Sequence, residues 1–88
     1  MTMTEENRKK ISDNLIKLFD IMNADTKNVF VIQLQSICGG NDSIGDKIKR
    51  ATDIQLAKLM KVASKGKFLE DPKPIFSEIV ATFKASIA

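Results

Sequence analysis

The densest group of chemically active side chains is a set of seven basic residues in the segment 47–67. That segment holds seven bases and one acid, a net charge of +6, whereas residues 1–46 and 68–88 carry −2 and −1. The bases are Lys47, Lys49, Arg50, Lys58, Lys61, Lys65 and Lys67. Clustered cations attract phosphates through salt-sensitive contacts, and they also attract acidic protein surfaces. The segment therefore predicts a binding surface for an anionic partner, with a solvated lysine face that keeps a small domain soluble as the alternative.

Residues suited to catalysis or metal binding are scarce. The chain has no histidine for acid–base chemistry near neutral pH, and its one thiol is Cys38. Cys38 is predicted to lie at the C-terminal end of a helix, where the negative end of the helix dipole raises the pKa of a thiol. Gly39-Gly40 lacks the lysine of a phosphate-binding loop, and Asp42 to Asp46 does not fit a calcium loop. We therefore predict a non-enzymatic protein with no catalytic residue, no cofactor and no metal.

A second feature is a run of fourteen uncharged residues, Asn28 to Asn41, in a chain that is 28% charged. Read as a helix from about Lys27, the run places Val29 and Ile32 on one side and an apolar group on the other. That group is Phe30, Val31, Leu34, Ile37 and Cys38. Because helices that are apolar nearly all round are normally buried or lie in interfaces, we predict that this helix is the centre of the core. If neighbours cover only the Phe30 side, Val29 and Ile32 mark a contact with a second copy or another protein.

The same run also has features of a β-strand. Residues 29–32 are rich in β-branched side chains, and apolar residues alternate with Gln33 and Gln35. No other segment offers a strand partner, however, and a lone strand leaves its backbone hydrogen bonds unmade. We therefore favour the helix.

The remaining segments each carry one apolar stripe at helical spacing. The predicted helices span 4–22, 27–38, 44–51, 53–65 and 73–86, of which the third is a short turn. Their predicted inward residues include Ile11, Leu15, Leu18, Phe19, Met22, Ile44, Ile48, Ala51, Leu56, Leu59, Met60, Ala63, Ile75, Phe76, Ile79, Val80 and Phe83, with Ile87 extending the last stripe. The sequence thus predicts an all-α fold, a compact bundle of four main helices plus one short turn, as a single domain over 1–88.

Capping signals mark where these helices begin and end. The predicted N-caps are Thr2 or Thr4, Asp25 or Thr26, Ser43, and Thr52 or Asp53, with Gln55 completing a capping box after Thr52. Gly39-Gly40 is predicted to end the second helix through positive φ. After the fourth helix, the apolar pair Phe68-Leu69 is predicted to fold back onto the last turn. An exposed Phe68 that stacks on single-stranded nucleic acid is the alternative.

Composition also indicates a compartment. One cysteine excludes an intramolecular disulfide and fits a reducing environment. The first ten residues have no apolar run typical of a signal peptide, and the uncharged run is shorter than the roughly 20 apolar residues that span a bilayer. We predict a cytoplasmic protein without a membrane partner.

Two functions fit these features. The first is a small interaction module that binds and modulates a protein partner as a regulator or inhibitor, with a homodimer as one form of assembly. Compact helical modules of this kind are common among phage and mobile-element proteins, an association based on size alone. The second is a DNA- or RNA-binding protein that contacts phosphates through the basic segment 47–67.

Overall fold

The computed structural model describes residues 3–87, which form five α-helices. They are α1 (Glu5–Ile21), α2 (Ala24–Cys38), α3 (Ile44–Lys49), α4 (Asp53–Ser64) and α5 (Lys73–Ile87). Within this described range the only β-type pairing is an isolated bridge between Met22 and Phe68. The predicted all-α bundle of four main helices and one short helix is confirmed, and the strand reading of residues 29–35 is wrong.

The helix starts follow local capping in three places. The Thr4 hydroxyl accepts the Asn7 N–H at 3.1 Å and begins α1, while Thr2 lies outside the described residues. Ser43 caps α3, and a reciprocal capping box between Thr52 and Gln55 begins α4, with N···O distances of 2.9 and 3.2 Å. These contacts satisfy backbone N–H groups that have no partner inside the helix.

The start of α2 differs from the prediction. The Asn23 side-chain oxygen accepts the Thr26 N–H at 2.8 Å, so the helix begins at Ala24 and neither Asp25 nor Thr26 caps it. The reason is tertiary, because the Asn23 N–H also donates to the Lys67 carbonyl at 3.0 Å and thereby fixes Asn23 ahead of the helix. At the other end of α2, Gly39 has the predicted positive φ of 64°.

The core is centred on α1, which packs against α3, α4 and α5. Its Ile11, Leu15 and Leu18 are fully buried, and they belong to one cluster with Leu56 and Leu59 of α4. By contrast, α2 packs against α3 and α4 and fully buries only Phe30 and Leu34. The prediction that the uncharged run is the central element is therefore wrong. Regular spacing of apolar residues, more than scarcity of charge, decides which helix lies in the middle.

The last helix packs mainly along α1. Ile79 and Thr82 are buried, whereas Ile87 is 69% exposed, so the prediction that Ile87 extends the buried stripe is wrong. The end of α5 meets the polar first turns of α1, where the Asn7 side chain donates to the Ser86 hydroxyl at 3.1 Å. This end of α5 is therefore held to α1 by a polar contact, and Ile87 stays outside the core.

Phe68 turns inward after α4. Its ring lies edge-on to Phe76 with centroids 5.7 Å apart, and the Leu69 N–H donates to the Ile21 carbonyl at 2.7 Å. The chain thus folds back against the end of α1 and against α5. The Leu69 side chain is 73% exposed, so the prediction that it packs inward with Phe68 is wrong. This geometry excludes the alternative in which an exposed Phe68 stacks on a base.

Candidate interaction surface

One side of α2 is exposed although it is apolar. Val29, Val31 and Ile32 are 54%, 38% and 67% exposed, and no charged residue lies between Asn28 and Asn41. We call the exposed side that carries these three side chains the uncharged face. The prediction that Val31 points inward with Phe30 is wrong, because α2 meets its neighbours along one narrow side. Val29 and Ile32 have the exposure expected of interface residues.

The helices α2 and α4 run antiparallel and very close at one end. The Lys67 N–H donates to the Thr26 hydroxyl at 2.9 Å, while at the opposite end the Gln55 side chain donates to the Ile37 carbonyl at 3.1 Å. A Cβ on Gly66 would overlap the Thr26 methyl carbon. Gly66 therefore permits a backbone approach that a larger residue would obstruct.

Between these helices lies an open cleft of about 550 Å³. Its apolar lining comes from Val29 and Phe30 of α2 and Val62 of α4, and Gln33 adds a neutral polar group. Val29 belongs to both the cleft and the uncharged face, so the two surfaces are continuous. The volume falls in the range of clefts that hold ligands or side chains of a partner.

Three lysines, Lys61, Lys65 and Lys67, line this cleft, and we call them the cleft lysines. Their side chains are exposed. Asp25, at the start of α2, is the one acidic residue among the lining residues. Lys58 lies one turn before Lys61 on the outer side of α4 and is also exposed, so it extends the same positive surface.

The single acid of the basic segment does not neutralise these lysines. Asp53 accepts the Arg8 Nε–H at 3.1 Å and the Met3 N–H at 2.8 Å, which ties the start of α4 to α1. Its charge is therefore balanced within the fold, away from the cleft. The cleft lysines keep an uncompensated positive charge apart from Asp25.

Arg50 has a local structural role. Its guanidinium binds both carboxylate oxygens of Asp42, at 2.6 and 2.8 Å, and donates to the Cys38 and Gly39 carbonyls at 3.2 and 2.7 Å. The hydrogen bond from Arg50 lowers the pKa of Asp42 to about 2. Arg50 thus holds the end of α2 and the following loop, and its hydrogen-bond donors are engaged within the chain.

Lys47 and Lys49 lie apart from the cleft. The Lys47 ammonium donates to the Gln35 side chain at the far end of α2, and Lys49 shares a shallow hollow with Glu5 and Asp13 of α1. The seven predicted basic residues therefore do not form one patch. The fold brings Lys61, Lys65 and Lys67 together at the cleft with Lys58 nearby, and places the other three elsewhere.

Cys38 is half-buried at the end of α2, beneath the Arg50 contacts. Burial raises the pKa of its thiol, and the nearby Arg50 charge acts in the opposite direction. The predicted direction is the same, although burial rather than the helix dipole is the leading cause. Among residues 3–87 there is no cluster of three or more histidine, cysteine or acidic side chains arranged to hold a metal ion.

Sequence reasoning missed the contributions of Gln33 and Val62 to the cleft. Neither residue has a signal of its own in the sequence, because their proximity depends on the antiparallel pairing of α2 with α4.

None of the helices in the described part of the chain combines the length and apolar character needed to cross a bilayer. No protein-family model, curated protein or solved structure matches this chain.

Proposed function

We propose that this protein is a small non-enzymatic interaction module that binds a protein partner through the uncharged face of α2 and modulates that partner. The observation that carries the proposal is the exposure of Val29, Val31 and Ile32 on the part of α2 after Lys27, which has no charged residue. Interface centres are depleted of charged residues and rich in apolar contacts. Val29 and Ile32 are three residues apart and therefore neighbours on the helix surface, and exposed apolar groups of this kind are typical of sites that become covered in a complex.

The composition of the chain supports a modulating role over a catalytic one. An 88-residue chain with no histidine has few groups for chemistry of its own, but it is large enough to cover a functional surface of another protein. Binding of this kind fits a regulator or inhibitor that acts in the cytoplasm. A second copy of the chain is an alternative occupant of the same face.

Two matched substitutions test the proposal. Ile32→Asp places a charge on the uncharged face, and Ile87→Asp makes the same change at an isoleucine of similar exposure, 69% against 67%, at the end of α5. Tagged wild-type and variant proteins would be used to capture partners from a lysate of the source cells. We expect at least one protein to bind wild type and Ile87→Asp but not Ile32→Asp, with all three chains folded by circular dichroism. Equal capture by all three would reject this face as the interface.

Nucleic-acid binding remains a second candidate because Lys58, Lys61 and Lys65 share the outer side of α4 and Lys67 follows them. It predicts binding to duplex DNA or single-stranded RNA that weakens steeply with salt. The combined variant Lys58→Glu, Lys61→Glu and Lys65→Glu should then lose that binding. Unchanged affinity in a fluorescence titration would reject this surface as the phosphate contact.

A further inference from the structure

The cleft between α2 and α4 adds a charge preference to the uncharged face. We propose that the partner contributes an acidic amphipathic helix, whose apolar side covers Val29 and Ile32 and whose carboxylates reach the cleft lysines. This inference rests on the proposed function and specifies the partner segment. An amphipathic helix laid into a groove between two helices is a common mode of recognition.

Charge complementarity is the first support. The cleft lysines contribute three positive charges to the lining, against one negative charge from Asp25, and α2 adds no charge between Asn28 and Asn41. Asp53, the single acid of the basic segment, is paired with Arg8. An acidic segment of the partner is thus attracted by the lysines on the α4 side of the groove and contacts an uncharged surface on the α2 side. Complementary charges at an interface set orientation and speed association.

Helix geometry is the second support. Lys61 lies on α4 and Lys65 is the C-cap residue that follows this helix, four residues later, which is about 6 Å along the axis at 1.5 Å per residue. Carboxylates at positions i and i+4 of a partner helix have the same spacing, so both can pair with lysines at once. Asp25 opposes acids near the start of α2, which directs the acidic side of the partner toward α4. The apolar side of that helix then faces Val29 and Ile32.

A second copy of the chain is a poorer occupant. A two-fold contact brings the same patch of both copies together, and the cleft lysines of each copy would then approach the same groups of the other. The single acid of the cleft, Asp25, offsets only one of its three lysines, and the run from Asn28 to Asn41 adds no other acid. An acidic partner removes this cost.

A nucleic acid is also a poorer occupant. Three of the seven bases in the basic segment lie away from the cleft: Arg50 binds Asp42, Lys47 donates to Gln35, and Lys49 lies near acids of α1. The exposed apolar side chains beside the cleft lysines are aliphatic, because Phe30 is fully buried and Phe68 is turned inward. Proteins that bind single strands usually add aromatic side chains on which bases stack.

The test uses the full chain and a displayed library of random peptides about 16 residues long, enough for roughly four helical turns. Enriched peptides would be synthesised and their affinities measured by fluorescence anisotropy. We expect them to carry net negative charge with apolar residues at helical spacing, and to become helical on binding. A library that yields no binder, or binders that are neutral or basic, would overturn the inference.

Variants then separate the charge contribution from the apolar one. Changing all three cleft lysines to Gln should lower the affinity for the enriched peptides about tenfold, as expected for the loss of three exposed ion pairs. The affinity should also depend less on salt concentration. The matched control changes Lys9, Lys10 and Lys17 of α1 to Gln, which alters net charge equally and should leave affinity unchanged. Replacing the acids of a peptide by Lys should restore its binding to a chain in which the cleft lysines are Glu.

The outcomes distinguish the inference from the function on which it rests. Binding that is lost with Ile32→Asp but unchanged by the cleft-lysine variant overturns the acidic-helix inference and leaves the interaction face intact. If Ile32→Asp leaves the binding unchanged, the uncharged face is not the interface and the proposed function is rejected. Two further results would also overturn the inference: a dimer that Ile32→Asp dissociates, and tighter binding of an oligonucleotide than of any peptide through the cleft lysines.

Discussion

The helices α1 and α2 have similar lengths but opposite relations between charge and burial. Glu5–Ile21 carries charges along most of its length, yet it buries Ile11, Leu15 and Leu18 and contacts three other helices. Ala24–Cys38 has no charge after Lys27, yet it exposes Val29 and Ile32. The helix that looks more soluble is the centre of the fold.

The difference shows that the regular spacing of apolar residues and the scarcity of charged residues predict different things about a helix. In α1, the charged residues occupy the side opposite a regular apolar stripe, so one face can be enclosed completely. In α2, apolar residues occur on several sides and only the side of Phe30 and Leu34 meets the other helices. Val29 and Ile32, which lie beyond that side, are more than half exposed, which is why we propose that a partner covers them.

The largest expected effect separates the two helices by a matched substitution. Ile11→Ala should lower the free energy of unfolding by about 2–5 kcal/mol, because it leaves a cavity at a fully buried position. Ile32→Ala should change it by less than about 0.5 kcal/mol, because that side chain is exposed. Urea unfolding of both variants measures the difference. Equal destabilisation would mean that α2 is as central as α1.

A smaller effect is expected where α2 meets α4. Gly66→Ala should destabilise the fold by about 1–3 kcal/mol, since its Cβ would overlap the Thr26 methyl carbon. Adding Thr26→Ser removes that methyl group but retains the hydroxyl that accepts the Lys67 N–H, so the double variant should recover most of the loss. Thermal unfolding of the single and double variants checks this. Failure of Thr26→Ser to rescue Gly66→Ala would contradict the close approach of the two helices.

The smallest effect concerns the contact between Arg50 and Asp42 at the end of α2, which stabilises the fold near neutral pH and is lost in acid. The Asp42 pKa of about 2 lies below the ordinary value of 3.8, so the Arg50 contact stabilises the fold fully above about pH 4 and is lost as pH falls toward 2. The urea midpoint of wild type should therefore exceed that of Asp42→Asn near neutral pH, and the gap should close in this acidic window. A gap independent of pH would show that Arg50 does not act through the Asp42 charge.

Much of the fold could be predicted from local patterns. The stripe of α1 and the caps at Thr4, Ser43 and Thr52 depend on residues within one or two helical turns of each other. The N-cap of α2 could not be predicted in this way, because several residues near the start of the helix are good caps. The use of Asn23 depends on its contact with Lys67. The local sequence allows more than one N-cap for α2, and the tertiary contact determines which residue is used.

The candidate site was less predictable than the fold. The sequence raised Val29 and Ile32 as interface residues but left open whether neighbouring helices cover them. It also grouped Arg50 with the lysines, although Arg50 is engaged by Asp42 and two carbonyls at the end of α2. The cleft depends on antiparallel packing of α2 with α4, which no local pattern specifies.

Thiol labelling at position 32 tests most directly whether the uncharged face is free in the isolated protein and covered in a complex. Ile32→Cys would be made in a Cys38→Ala background, with Ile87→Cys in the same background as the control. Without partner, both thiols should react rapidly with a maleimide dye; with the captured partner, only Cys at position 32 should slow, by about tenfold or more. Slow labelling at position 32 in the isolated monomer, or equal rates with and without partner, would contradict the assignment of this face.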